Sequence, residues 1–402
     1  MSSIVQPPQH KHEELGQDKL GQDKLGQDKL GQDKLGQSER GRELAVLISL
    51  MVAIFCFSPL TGIDTGITGI MLLGLGVALG AVFLLAQYGF SSVWRRFLET
   101  GALMGLSQQF FLIGLCAIAF LAAPIFGLSA KPTMAPVAVS LFLGALIFGI
   151  GMQLANGCGS GVLFTFGGGS GRMIFALPAF IVGSVIGSLI VPTALGWGSI
   201  GSIAIAGDFN PFGRWLANLI LVFGVSGILF WLAKKRGETL ASQTVLASIC
   251  IAFLCWAVFF VSGHPWGVTF GFTLWGAKIA QAAGMPMSDF AFWQWAGPEA
   301  ALNHSVLANA SSVLNIGMII GAAMIASWSG GLRRQNYPPL KQIAAAIIGG
   351  LIMGIGARLS FGCNIGAFLA GIASGSLHGW IWFVMAMSGS WIGIRLRPYF
   401  GF

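Results

Sequence analysis

Ten apolar runs follow one another along the chain, at 44–60, 71–88, 101–123, 136–155, 174–192, 213–233, 244–262, 303–327, 341–361 and 377–396. A helix needs about 20 mostly apolar residues to cross a ~30 Å hydrocarbon core, and most of these runs reach that length. Charged residues are 9% of the 402, too few to solvate the surface of a soluble domain this long. They are also segregated. Residues 1–43 hold seven Lys/Arg and eight Asp/Glu, which leaves six acids, Asp64, Glu99, Asp208, Glu238, Asp289 and Glu299, for the remaining 359 residues. Hydrocarbon demands that exclusion of charge. The chain reads as an all-α integral membrane protein, a polytopic helical bundle of about ten spans.

The segment 1–43 repeats LGQDK four times at 15–34 and has too few apolar residues to bury a core, so it reads as a polar low-complexity tail. A net charge of +8 could point to nucleic acid, but the bases are scattered between apolar spans and form no stripe. Lipid of the inner leaflet and an anionic solute are the partners expected instead. Basic residues near span ends favour the cytoplasm. With the tail inside, ten crossings place Arg95, Arg96, Arg172, Lys234, Lys235, Arg236, Arg333, Arg334, Lys341, Arg395 and Arg397 on that side. This requires 266–283 to dip into the membrane and return. Irregular Gly-, Ser- and Asn-rich stretches at 156–173, 263–302 and 362–376 are candidates for re-entrant segments.

Two segments match at an offset of 205 residues: GIGMQLANGCGSGVLF from Gly149 and GIGARLSFGCNIGAFL from Gly354. Gly149, Gly151, Gly157, Cys158 and Gly161 pair with Gly354, Gly356, Gly362, Cys363 and Gly366, and one residue later in register Gly183 and Gly187 pair with Gly389 and Gly393. The chain therefore divides into a tail (1–43), a first half-repeat (44–212), a connecting span and basic loop (213–243) and a second half-repeat (244–402). The span before Cys158 runs inward and the span before Cys363 runs outward, so the halves are inverted. Such repeats bring broken helices together near the midplane.

Gly157 and Gly362 are expected to let the chain turn before each cysteine, with half-helices starting at Gly161–Phe166 and Ile365–Ala373. Helix N-termini attract anions, and a polarizable thiol suits a sulfur-bearing ligand. Cys158, Cys363, Gly157, Gly362, Asn364 and Arg358 are thus the candidate pathway residues, Arg358 because a charge inside a span implies function. Arg172 and His378 read as interfacial anchors, and Gln108, Gln109 and Gln153 as interhelical hydrogen-bonding residues. Cys56, Cys116, Cys250 and Cys255 read as small apolar filler, and no C-x-x-C pair or nucleotide-binding P-loop is present. No metal, cofactor or catalytic residue is called for. The competing reading is a membrane thiol-redox or sulfurtransferase component, which would need an activated thiolate.

The segments GIGARLSFGCNIGAFLAGIASGSLHGW (354–380), GIGMQLANGCGSG (149–161) and AQYGFSSVWRRF (86–97) resemble the paired signature of the YeeE/YedE family. That family comprises sulfur-transport-related inner-membrane proteins of bacteria, with thiosulfate uptake proteins and a selenium-associated branch. The resemblance implies an hourglass of helices with cysteines along a central path, Cys158 and Cys363 among them. It also implies a transporter of a small sulfur- or selenium-containing anion, a multi-pass place in the bacterial inner membrane, and a cytoplasmic sulfur-carrier protein as partner. A third family cysteine falls where this chain has Gly89, followed by Phe90, Ser91 and Ser92.

Overall fold

The computed structural model describes residues 66–330 and 338–402. The LGQDK tail, the apolar run 44–60 with Cys56, and Arg333 and Arg334 lie outside the described residues. The remaining nine apolar runs all become helices: α1 (Gly66–Ala86), α3 (Met104–Ala122), α4 (Val139–Ala155), α6 (Met173–Leu195), α7 (Pro211–Lys235), α8 (Ser242–Ser262), α11 (Ala310–Trp328), α12 (Leu340–Leu359) and α14 (Leu377–Leu396). Between them lie shorter pieces: α2 (Phe90–Thr100), α5 (Gly159–Gly167), α9 (Thr269–Ala282), α10 (Ala296–Asn303) and α13 (Ala370–Ala373), the last entered through a π-helical turn at Asn364–Leu369. Eight helical stretches among the described residues are long and apolar enough to cross a membrane. The architecture is that of an all-helical polytopic membrane protein; the only sheet described pairs β1 (Pro136–Ala138) with β2 (Ser199–Ser202).

The matched glycines explain how the halves pack. In lipid the hydrophobic effect does not drive helices together, so close backbone contact through small residues has to. A Cβ on Gly149 of α4 would lie 2.1 Å from the Ala386 carbonyl oxygen of α14, and one on Gly354 of α12 would lie 2.4 Å from the Phe180 oxygen of α6. Since Gly149 matches Gly354 and Phe180 matches Ala386, these are one contact seen twice. Gly183 against Leu351 and Gly389 against Leu146 repeat it, again with matching residues. The pre-cysteine helix of each half therefore packs on the post-cysteine helix of the other. The equivalent helices α4 and α12 also touch each other, Gly144 beside Gly356 and Gly151 beside Gly349, which makes them antiparallel. Antiparallel equivalents joined by reciprocal contacts are what an inverted pair of repeats requires.

Helix α9 lies within the stretch 266–283 expected to dip and return. Its 14 residues span about 21 Å at 1.5 Å per residue, short of a ~30 Å core. The chain then continues through short helices on one side before α11, which lies parallel to α1: Gly76 meets Leu314, and Gly80 meets Met318.

Candidate solute pathway

Both cysteines sit at helix breaks in the interior, Cys158 at 1% exposure and Cys363 at 0%. Cys158 is the N-cap of α5, and its sulfur accepts the Gly161 N–H at 3.3 Å and lies 3.5 Å from Ser160 Oγ. The Phe90 N–H, in the first turn of α2, is directed at the same sulfur. Cys363 is placed alike before the π-helical turn, facing the Ile365 and Gly366 N–H groups. The two loops meet: a Cβ on Gly159 would lie 2.9 Å from Cys363 Sγ. Three half-helix N-termini, those of α2, α5 and the 364–373 segment, thus direct backbone N–H groups at two thiols, an arrangement that favours an anion.

The turn itself is made differently from expectation. Asn156 (φ 61°) and Phe361 (φ 62°), each one position before the glycine, are left-handed; Gly362 also keeps a positive φ of 157°, whereas Gly157 does not. Asparagine accepts that conformation readily, whereas a phenylalanine there is strained by about 1–2 kcal/mol. Gly362 is still required, since a Cβ would lie 2.8 Å from the Ala367 nitrogen; at Gly157 the nearest atom would be the flexible end of Met173, at 3.3 Å.

Asn364 is fully buried, and neither its Oδ1 nor its Nδ2 has a hydrogen-bond partner. Buried amides are ordinarily satisfied, so two orphaned atoms on the residue after Cys363 mark a place that a ligand or water completes. Arg358 reaches Thr269 Oγ1 at 3.3 Å, at the start of α9, while its Nε stays unpartnered. Its counterpart in the repeat is Gln153, whose Nε2 donates to the Ser91 oxygen at 3.3 Å, at the start of α2. Equivalent positions thus tie each pre-cysteine helix to a broken helix, one with a neutral amide and the other with a guanidinium. The alignment of MQ with AR in the two repeats holds that signal, and the roles of Ser91 and Thr269 follow only from the fold.

The remaining expectations divide. Gln109 bridges α3 to α2 through the Trp94 indole N–H at 2.8 Å, and Gln153 bridges α4 to α2; Gln108 keeps an unpartnered Oε1. Arg172 precedes α6, half-buried rather than extended into the surroundings. His378 is no interfacial anchor: it is fully buried, its Nδ1 2.6 Å from Ser376 Oγ, because the segment before α14 folds inside the bundle. Cys116 and Cys255 are buried, form no disulfide, and pair thiol to thiol across the α3–α8 contact. Gly89 caps α2 with φ −110°, where a Cβ would meet only Ser92 Oγ at 2.7 Å. A cavity of about 540 Å³ opens near this break, lined by Gln87, Ser92, Arg96, Gln108 and Glu238, and none of the cysteines borders it.

Similarity to known proteins covers this same machinery. Residues 85–392 match the model of the family described as sulphur transport. The chain is 34% identical over 156 residues to "Probable transporter YedE" of Escherichia coli (strain K12), a match that covers 38% of this chain and 38% of that protein's length. It is 27% identical over 277 residues to the thiosulfate transporter TsuA of Spirochaeta thermophila (63% of this chain, 76% of the relative), and 25% identical over 286 residues to TsuA of Escherichia coli (64% and 74%). The matched family region runs from the α1–α2 break to the last turns of α14 and so encloses both cysteine loops. On that match, the chain belongs to the sulphur-transport family of membrane proteins.

Proposed function

We propose that this protein carries a small inorganic sulfur anion such as thiosulfate through the bundle, with Cys158 and Cys363 as successive contacts. The observation that carries this reading is Asn364, the residue after Cys363, a buried amide with both polar atoms unpaired. An oxyanion accepts from Asn364 Nδ2 and from the convergent helix N-termini, while its terminal sulfur meets the thiols, which are weak donors. Neither thiol needs to become covalently bonded, so the contacts are weak enough to release the solute. Arg358 supplies long-range attraction from the second half, and Gly157 and Gly362 leave room for the backbone to approach. The relatives named as thiosulfate transporters support the choice of solute.

By the basic-residue rule, the face bearing Arg95, Arg172, Lys234, Lys235 and Arg397 is the cytoplasmic face of the cell inner membrane, and the tail lies there too. A cytoplasmic sulfur-carrier protein would accept the product on that face. The test is uptake of labelled thiosulfate by cells with no other route for it, comparing the unaltered protein with Cys158→Ala and Cys363→Ala. Loss of uptake in either variant at equal membrane abundance is expected, and undiminished uptake in both removes the cysteine path. A stable persulfide on either residue, found by mass spectrometry, would favour the sulfurtransferase reading instead.

A further inference from the structure

Three arginines from three separate elements converge on the loop that leads into Cys158. Arg95 of α2 donates from Nη1 to Asn156 Oδ1 at 2.5 Å, and Arg397, just past α14, donates from Nη1 to the same oxygen at 3.2 Å and to the Gln153 carbonyl at 2.7 Å. Arg172, at the start of α6, lies with its guanidinium 4.6 Å above the Phe402 ring, and Arg397 lies 4.1 Å from the same ring. Arg172 also donates to Gln342 Oε1, yet its buried Nε has no partner. All three side chains are half-buried. Among the described residues no side-chain carboxylate comes within ion-pair distance of any of them; Glu99 acts on Arg397 only weakly and from farther away.

Like charges held together while partly desolvated are costly, and they persist where a counter-ion repays the cost. Burial, and after it the charges of Arg95 and Arg172, pull Arg397 down to about 10. Asn156 and Phe402 hold the planar forks in place without neutralising them. Guanidinium forks of this kind match the paired oxygens of a tetrahedral oxyanion.

We infer that Arg95, Arg172 and Arg397 form a second, cysteine-independent binding site for a free tetrahedral oxyanion of the sulfate or thiosulfate type, at the mouth of the pathway on the basic face. Arg95 follows Phe90, whose N–H meets Cys158, by five helical positions, so its backbone lies about 7.5 Å along α2 from that contact. The site's position as the last station of the path rests on the transport reading; the binding itself does not. The guanidiniums of Arg172 and Arg397 lie against the Phe402 ring and all three side chains are half-buried, which favours a solute over a lipid headgroup.

The experiment uses the full chain carrying both Cys158→Ala and Cys363→Ala, purified into nanodiscs of neutral phosphatidylcholine. Sodium sulfate should raise its melting temperature relative to sodium chloride at equal ionic strength, because a ligand that binds only the folded state stabilises it. Adding Arg172→Gln should weaken the apparent sulfate affinity at least tenfold, and Arg397→Lys, which keeps the charge but loses the fork, should weaken it less. Arg172→Gln is the gentler change because its Nε is already unpaired, and a sulfate-free melting temperature near that of the parent shows that it folds. No sulfate shift in the cysteine-free protein, or an equal shift with Arg172→Gln, overturns the site. A shift abolished by phosphatidylglycerol in the discs would identify a lipid headgroup as the occupant and overturn the solute assignment. A failed cysteine path would show separately, in the uptake assay.

Discussion

Replacing Asn364 by leucine separates a structural role from a ligand-binding one. Both polar atoms of this fully buried amide lack partners, and a buried polar group left unpaired costs about 1–3 kcal/mol. Leucine has the same branched outline and no polar atoms, so the resting protein should gain up to that amount, less the cost of its extra bulk. Transport should move the other way, because the donor that meets the solute is gone; sites that bind commonly give up stability in this manner. Equilibrium unfolding of the purified variant in mixed micelles reads the first effect, and uptake of labelled thiosulfate reads the second. Stabilisation together with a loss of uptake of tenfold or more is expected. A destabilised variant would mean that the amide has a structural partner, and unchanged uptake would mean that the solute does not touch it; either result refutes the reasoning.

Gly149→Ala and Gly354→Ala should each destabilise the bundle by about 1–3 kcal/mol and by similar amounts, since each drives a methyl group into a carbonyl oxygen at an equivalent contact. Gly366→Ala, with no atom within 4 Å of its Cβ, should be near neutral in the same unfolding assay. Arg358→Gln places the first half's residue in the second half; the protein should fold and the KM for thiosulfate should rise about tenfold or more, and an unaltered KM would remove the charge from the path. Gly89→Cys should be accommodated at the α2 cap, where the only close atom is a mobile hydroxyl, and should speed thiosulfate uptake by adding a third thiol; a slower rate at equal abundance would count against successive thiol contacts.

Span positions were legible because hydrophobic length is a local property: the run read at 377–396 is the helix Leu377–Leu396, and that read at 213–233 is Pro211–Lys235. The breaks at Cys158 and Cys363 were legible because the chain states them twice. What composition could not carry was the sign of φ. The expected glycine turn is made by Asn156 and Phe361, and nothing about a phenylalanine predicts a left-handed backbone. His378 misled because a histidine near a span end ordinarily marks the interface, whereas here the returning 364–376 segment carries it inside. Arg95, Asn156, Arg172 and Arg397 are spread over three hundred residues, and only the packing of α2, α4, α6 and α14 brings them together.

The paired positions Gln153 and Arg358 give a symmetric frame an uneven electric field. On the proposed path, an anion travelling through equal halves would find equal wells, and a guanidinium in one half alone would deepen the well beside it. In the proposed path the solute rests in that deeper well, and the step toward the basic face becomes the slow one. The residue at 358 then sets how long each anion dwells, and a duplicated scaffold acquires different entry and exit kinetics through one side chain.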